Sequence, residues 1–199
     1  MEFKNTFVQL IRNLNARGHS PATSTNYSFL DDTNHIWITK SGIDKSEIDA
    51  KDFIQIDRKG NPLQSNEIPS AETKIHCSIY SLHTDAKVVL HSHSIYPVLL
   101  SSLRTDTVCF SEYEIQKGFK GVTTHAQDIH IPIFENSQEM DSIVAKMEER
   151  VLELNRYALI LRKHGVYVWG ASLQEAKRHL ETLEYLCECE YKLACVWQS

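Results

Sequence analysis

The chain has 199 residues, 42% of them apolar and 24% charged, the balance of a globular domain able to bury a full core. Its net charge of −5, with no basic block or tail, excludes nucleic acid as the main partner but leaves room for a small anionic substrate. Met1–Asn5 lacks the layout of a signal peptide, and no apolar run approaches the ~20 residues of a membrane span. The expectation is one domain over residues 1–199, cytoplasmic, with no membrane partner and with its five cysteines as reduced thiols.

Phe3, Phe7, Leu10, Ile11 and Leu14 recur at helical spacing, and Gly18 ends that helix. Tyr27–Leu30 and His35–Thr39 read as strands joined by the turn Asp31-Asp32-Thr33-Asn34, and Phe53–Ile56 as a third strand before a turn at Lys59–Pro62. Ser70 reads as the N-cap of a helix reaching about Leu82. Lys87–His93 is a buried strand, and Ile95–Leu103 a helix with Pro97 in its first turn. Val108–Phe110 is a short strand and Glu112–Phe119 a helical turn. Ile129–Ile133 is an edge strand, because Pro132 cannot donate to a ladder. Ser137 to about Asn155 is an amphipathic helix. Tyr157–Arg162 and Val166–Trp169 meet at a tight turn carrying His164 and Gly165, and Ser172 opens a long helix to about Trp197. Many strand links are too short for parallel crossovers, so the expected fold is mixed α/β with a largely antiparallel central sheet covered by helices.

The chemistry gathers at three places. The apolar run Val88–Leu90 feeds His91 and His93, and on a strand an i, i+2 spacing puts both imidazoles on one face. His164 interrupts another apolar strand pair, where an unpartnered polar side chain would cost roughly 1–3 kcal/mol. Three neutral imidazoles with a fourth position open describe a catalytic zinc site better than a structural one. The other seven histidines, His19, His35, His76, His83, His125, His130 and His179, read as surface or packing residues. Among the carboxylates, Glu72 is either helix-dipole compensation or a fourth ligand or acid/base beside the metal. Glu114 is either a solvated helix-face charge or a proton carrier. Pro21–Ser28, Ser41-Gly42 and Ser70-Ala71 are small-polar turns of the kind that bind phosphate with hydroxyls and backbone N–H groups, provided that they converge.

With these residues in view, the chain resembles the class II aldolase/adducin family over nearly its full length. The segments that carry the resemblance are SPATSTNYS, WITKSGIDK, KDFIQ, PSAETKIHCSIY, VVLHSHS, EYEIQKGF, LRKHGVYVWG and ETLEYLCECEYKL. Within the family, PSAET, EYEIQK and HGVYVWG are similar to the branch that dehydrates methylthioribulose 1-phosphate in methionine salvage. The resemblance implies a three-layer α/β/α domain with an antiparallel central sheet, and one zinc ion per subunit on His91, His93 and His164. It implies Glu114 and Glu72 as catalytic carboxylates, a substrate phosphate cradled by Asn26, Ser41, Gly42 and Ser70, and a homotetramer with interfacial active sites. A sugar-phosphate aldolase or pentulose-phosphate 4-epimerase would keep the same histidines and turns, and an adducin-like interaction domain would have no need of them. One departure stands out: Ser24 and Thr25 replace two glycines usual in that branch, so their hydroxyls either substitute for backbone donors or reshape the loop.

Overall fold

Alternation along the strands sets the architecture. The computed structural model describes residues 2–64, 66 and 68–197, so residues 1, 65, 67, 198 and 199 of the expected 1–199 span lie outside the described residues. Helix α1 (Glu2–Ala16) precedes strands β1 (Tyr27–Leu30), β2 (Ile36–Thr39) and β3 (Phe53–Ile56). Then follow α2 (Thr73–Leu82), β4 (Val88–Ser92), α3 (Ile95–Ser101), β5 (Thr107–Phe110) and β6 (Ile129–Phe134). The chain continues through α4 (Met140–Glu149), β7 (Ala158–Leu161), β8 (Gly165–Gly170) and α5 (Leu173–Trp197). The strands form one eight-stranded sheet in the order β3-β2-β1-β4-β8-β7-β6-β5. Every pairing is antiparallel except β6 with β7.

Successive residues of the central strands enter different cores. Val88, Leu90, Ala158, Ile160, Val166 and Val168 pack with Phe7 and Ile11 of α1, Leu100 of α3 and Leu180 and Leu183 of α5. Val89, Leu159, Leu161, Tyr167 and Trp169 pack with Ile75 and Ile79 of α2 and with Ile143 and Met147 of α4. A period of two along strands buried on both faces therefore gives the expected three-layer α/β/α arrangement.

Three expectations need correction. Ser70 does not cap a helix: α2 begins at Thr73, and the Ser70 carbonyl accepts from the Thr73 N–H and hydroxyl in a preceding turn. The helix expected over 137–155 is regular only at Met140–Glu149, followed by a separate single turn at Val151–Glu153. Nor is β6 an edge strand, because β5 covers it on one side and β7 on the other. Pro132 is tolerated there because its ring nitrogen faces β7, and pairing with β7 starts only at Ile133.

Candidate metal centre

His91 and His93 have the parity of Val89, so they face the α2 side of the sheet. The Nε2 atoms of the two rings approach to 2.7 Å. His164 arrives from the β7–β8 turn, where Lys163 takes a left-handed φ of +55°. That turn is tied down by Arg162, whose guanidinium donates to the carbonyls of Ser101, Arg104 and Thr105. The carboxylate of Glu72, next to the first residue of α2, completes the group. Its Oε2 lies 3.2 Å from His91 Nε2 and its Oε1 2.9 Å from His164 Nε2. One ligand atom from each of Glu72, His91, His93 and His164 lies within 4.8 Å of the others. The three rings stand nearly edge to face, at 76°, 83° and 86° to one another, so they approach one point from different directions.

The donor pattern fits a cation. His91 Nδ1 donates to the Val166 carbonyl at 2.9 Å, which leaves its Nε2 as a lone pair aimed into the cluster. His164 Nδ1 bonds Asn136 Oδ1 at 3.0 Å, so its Nε2 likewise faces inward unprotonated. Two lone pairs and a carboxylate aimed at one point is what a divalent metal requires, and outward hydrogen bonds from the ring Nδ1 atoms are the usual means of fixing such ligands. Burial holds His91 far below its ordinary value. Burial, with the His164 charge, brings His93 down to about 4. Both rings are therefore neutral, ligand-competent imidazoles near neutrality. Burial alone would raise the Glu72 carboxyl, yet the His164 and His91 rings, wherever they carry a proton, and the Asn26 amide hold it well below the usual carboxylate range. Imidazole and carboxylate donors suit zinc, iron, cobalt or manganese.

A chain of hydrogen bonds runs into this group from α2. Tyr80 Oη donates to Ser28 Oγ at 2.7 Å, and Ser28 Oγ donates to His76 Nδ1 at 2.6 Å. His76 Nε2 then donates to Asn26 Oδ1. The amide of Asn26, thus oriented, donates to Glu72 Oε2 at 2.6 Å and to Ser70 Oγ at 3.0 Å. Tyr167 Oη donates to the same Glu72 oxygen at 2.9 Å, and its ring stacks on His91 with centroids 4.1 Å apart.

The small-polar turns do converge. Asn26 bonds Ser70, and the Ser41 N–H donates to the Ile68 carbonyl, which lays the Ser41-Gly42 turn beside the segment leading to Glu72. Thr25 keeps a glycine-like φ of +72° despite its branched side chain. Its hydroxyl points inward and donates to Ser20 Oγ at 2.9 Å. Ser24 Oγ, in contrast, is buried and has no partner among the described residues. Glu114 is not brought to the cluster: it is 71% exposed and pairs with Lys117 and with His125.

Sequence reasoning missed four participants. Asn136 orients the His164 ring, Tyr167 orients Glu72 Oε2, and His76 relays orientation to Asn26. Lys45 is 1% exposed and donates to the carbonyls of Thr23 and Ile43, at 3.3 and 2.8 Å. Burial brings this lysine down to about 8, so it still carries its charge near neutrality, between two of the converging turns. Nothing in Ser41–Ser46 marks it as different from a solvated lysine, whereas Tyr167 was readable in part, since it pairs with His91 once β4 and β8 are adjacent. A cavity of about 850 Å³ opens on His93, with Ile95, Tyr96, Ile115 and Tyr185 in its walls.

Known proteins resemble the chain in sequence and in fold. The chain is 47% identical over 191 residues to the methylthioribulose-1-phosphate dehydratase of Picosynechococcus sp., covering 94% of this chain and 90% of that protein. It is 40% identical to the dehydratase of the same name from Pseudomonas syringae, covering 95% and 94%. In fold it is similar to an L-fuculose 1-phosphate aldolase, with a TM-score of 0.81 at 21% identity over 100% of this chain and 89% of the other. The L-fuculose-1-phosphate aldolase of Thermus thermophilus gives a TM-score of 0.77 at 22% identity, covering 99% and 97%. Residues 5–191 match the family described as Class II Aldolase and Adducin N-terminal domain. The histidine cluster, the layered fold and the match over most of the chain lead to one conclusion: the chain belongs to the class II aldolase/adducin family.

Proposed function

We propose that the chain is a zinc-dependent methylthioribulose-1-phosphate dehydratase. It would remove water from 5-methylthioribulose 1-phosphate to give 5-methylthio-2,3-dioxopentyl 1-phosphate, a step of methionine salvage. The observation that carries this reading is the convergence of His91, His93, His164 and Glu72 beside three small-polar turns, in a chain whose relatives at up to 47% identity are dehydratases. A zinc ion held by the three histidines would supply Lewis-acid polarisation of the substrate C2 carbonyl, which acidifies the C3 proton.

The chain's own residues do the remainder. Glu72, kept anionic and fixed by Asn26 and Tyr167, holds its position beside the histidines and is a poor reservoir for a proton. Glu114 is assigned the proton transfers: it takes the C3 proton and returns it to the C4 oxygen, so that the C4 hydroxyl leaves as water. The resulting enol tautomerises to the 2,3-dione, and the atoms balance with one water released. Because Glu114 is exposed on its own chain, we assign it to a neighbouring subunit's site in a homotetramer. Asn26, Ser41, Gly42 and Ser70 cradle the phosphate. The unpartnered Ser24 hydroxyl is a further donor for it, and buried Lys45 is the charge that balances it. The apolar wall of Ile95, Tyr96 and Ile115 beside His93 receives the methylthio group. We infer a cytoplasmic protein, since sugar phosphates are made and consumed there.

A coupled assay of zinc-loaded protein that follows the dicarbonyl product tests this reading. Turnover is expected in the wild type and absent in His93→Ala. Glu114→Gln should keep its zinc and lose at least about a hundredfold in kcat, the usual scale of a lost acid/base group. Mixed tetramers of His93→Ala and Glu114→Gln should regain part of the activity. A zinc-replete protein without turnover overturns the dehydratase reading, and mixed tetramers as inactive as their parents overturn the shared site.

A further inference from the structure

A second group of metal-binding side chains lies at the far end of the sheet. Cys109 of β5 and His130 of β6 are direct cross-strand partners. Their neighbours Val108, Phe110, Ile129 and Ile131 are buried in the core, so alternation turns Cys109 and His130 outward together, and both are exposed. Cys109 Sγ lies 4.0 Å from His130 Nε2. Asp128, two residues before His130, brings a carboxylate to the same place. Ser111 holds it there, donating to Asp128 Oδ1 at 2.6 Å while its hydroxyl lies 3.9 Å from Cys109 Sγ. The three donor atoms all lie within 4.8 Å of one another.

These separations are close to what a tetrahedral ion needs. Metal–sulfur and metal–nitrogen bonds of about 2.3 and 2.0 Å give ligand–ligand edges of roughly 3.5 Å, so small side-chain rotations would close the set. Register fixes two of the donors and the Ser111 bond fixes the third, which lowers the ordering cost that an exposed cluster would otherwise meet. A thiolate, an imidazole and a carboxylate select zinc, cadmium or cobalt over magnesium or calcium. The fourth position faces a cleft of about 220 Å³ bordered by Asn155 and Arg156, with room for water. The group lies on β5 and β6, two and three strands away from β8 in the sheet, whereas His91 lies on β4 beyond β8.

We propose that Cys109, Asp128 and His130 form a second divalent-metal site, with three protein ligands and a water, independent of the histidine cluster. Binding releases the Cys109 thiol proton to solvent as the thiolate takes the metal.

Sulfur makes the two sites separable, because the histidine cluster contains no thiol. Reduced full-length protein titrated with cobalt(II) should take up two equivalents and develop the near-ultraviolet charge-transfer band of a cobalt thiolate. His93→Ala should keep that band. Cys109→Ser should lose the band and one equivalent, with its far-ultraviolet circular dichroism and sugar-phosphate turnover unchanged. His130→Ala should bind the second equivalent at least about tenfold more weakly, the lower end of the cost of removing a supporting metal contact. A wild type that binds one equivalent without a thiolate band overturns the proposal, as does a band that survives in Cys109→Ser. Neither outcome bears on turnover at the first site, so the two readings fail separately.

Discussion

Tyr167 shows how much of the metal centre rests on a single atom outside the ligand set. Its hydroxyl donates to Glu72 Oε2 at 2.9 Å, and burial and the Glu72 charge push the phenol well above its ordinary range, so it remains a donor. Removing that donor leaves Glu72 Oε2 with the Asn26 amide and without the phenol, while the ring still stacks on His91. Tyr167→Phe is therefore expected to keep the fold and to lose about 10- to 100-fold in zinc affinity, the range for ligand-orienting residues. Competition against a chromophoric chelator measures it, and an unchanged affinity would remove Tyr167 from the centre. Thr25 teaches the complementary lesson. A left-handed φ costs a branched residue about 1–2 kcal/mol, and its hydroxyl bond to Ser20 returns part of that. The loop thus keeps the backbone that glycine would take. Of the two outcomes the sequence left open, Thr25 preserves the loop shape and Ser24 presents a free hydroxyl.

Strands place the histidines, and the closeness of β4 to the β8 turn is the decisive packing feature. A Cβ on Gly165 would fall well inside contact distance of the Ser92 carbonyl oxygen and within 3.1 Å of His93 Cδ2. Since Ser92 ends the strand that carries His91 and His93 directly follows it, Gly165→Ala must push β8 away from β4 or turn the His93 ring. The expected result is a loss of about 1–3 kcal/mol, the usual cost of overpacking, together with weakened metal binding. Urea unfolding and metal content of the purified variant measure both, and a variant that loses neither would show that the turn is compliant. The same element explains what was legible beforehand. His91 and His93 were readable because a period of two needs no tertiary knowledge, and His164 because a titratable residue broke an apolar pair. Asn136, Lys45 and His76 were not, because each acts across 28, 22 or 50 residues of chain on a partner that only the fold brings near. Ser70 misled because a small hydroxyl after proline looks like a helix cap, whereas here it accepts from Asn26 and begins a turn that precedes the helix. Pro132 misled because the rule against proline inside a sheet concerns the side its nitrogen faces, and pairing on that side begins one residue later.

The molecule as a whole carries several histidines buried in neutral form, and this sets its response to acid. His76 is fully buried, and burial takes it down to about 3 from an ordinary 6.5, against a smaller upward pull from Glu72. Burial lowers His83 and His179 as well. In the unfolded chain these rings take up protons near their ordinary value, so between there and the folded value the unfolded state binds more protons than the folded one. For His76 this stability is therefore complete above about pH 6.5 and falls as pH drops toward about 3, by up to about 1.4 kcal/mol per pH unit, and His83 and His179 act in the same direction. The hydrogen bonds agree with this sign. His76 accepts from Ser28 at Nδ1 and donates to Asn26 at Nε2, so a second ring proton at Nδ1 would meet the one Ser28 donates and force the Ser28 and Tyr80 hydroxyls to turn. Chelated wild type and His76→Gln, unfolded in urea at several pH values, isolate the contribution. Near pH 7 the wild type should be the more stable, because the relay is intact. By about pH 4.5 that advantage should shrink by roughly 2–3 kcal/mol, since only the wild type loses proton-linked stability at this position. A gap that stays constant over this interval would mean that His76 is protonated in the fold, and the bonds from Tyr80 through Ser28 to His76 Nδ1 would then run the other way, with those from His76 Nε2 through Asn26 to Glu72 unchanged.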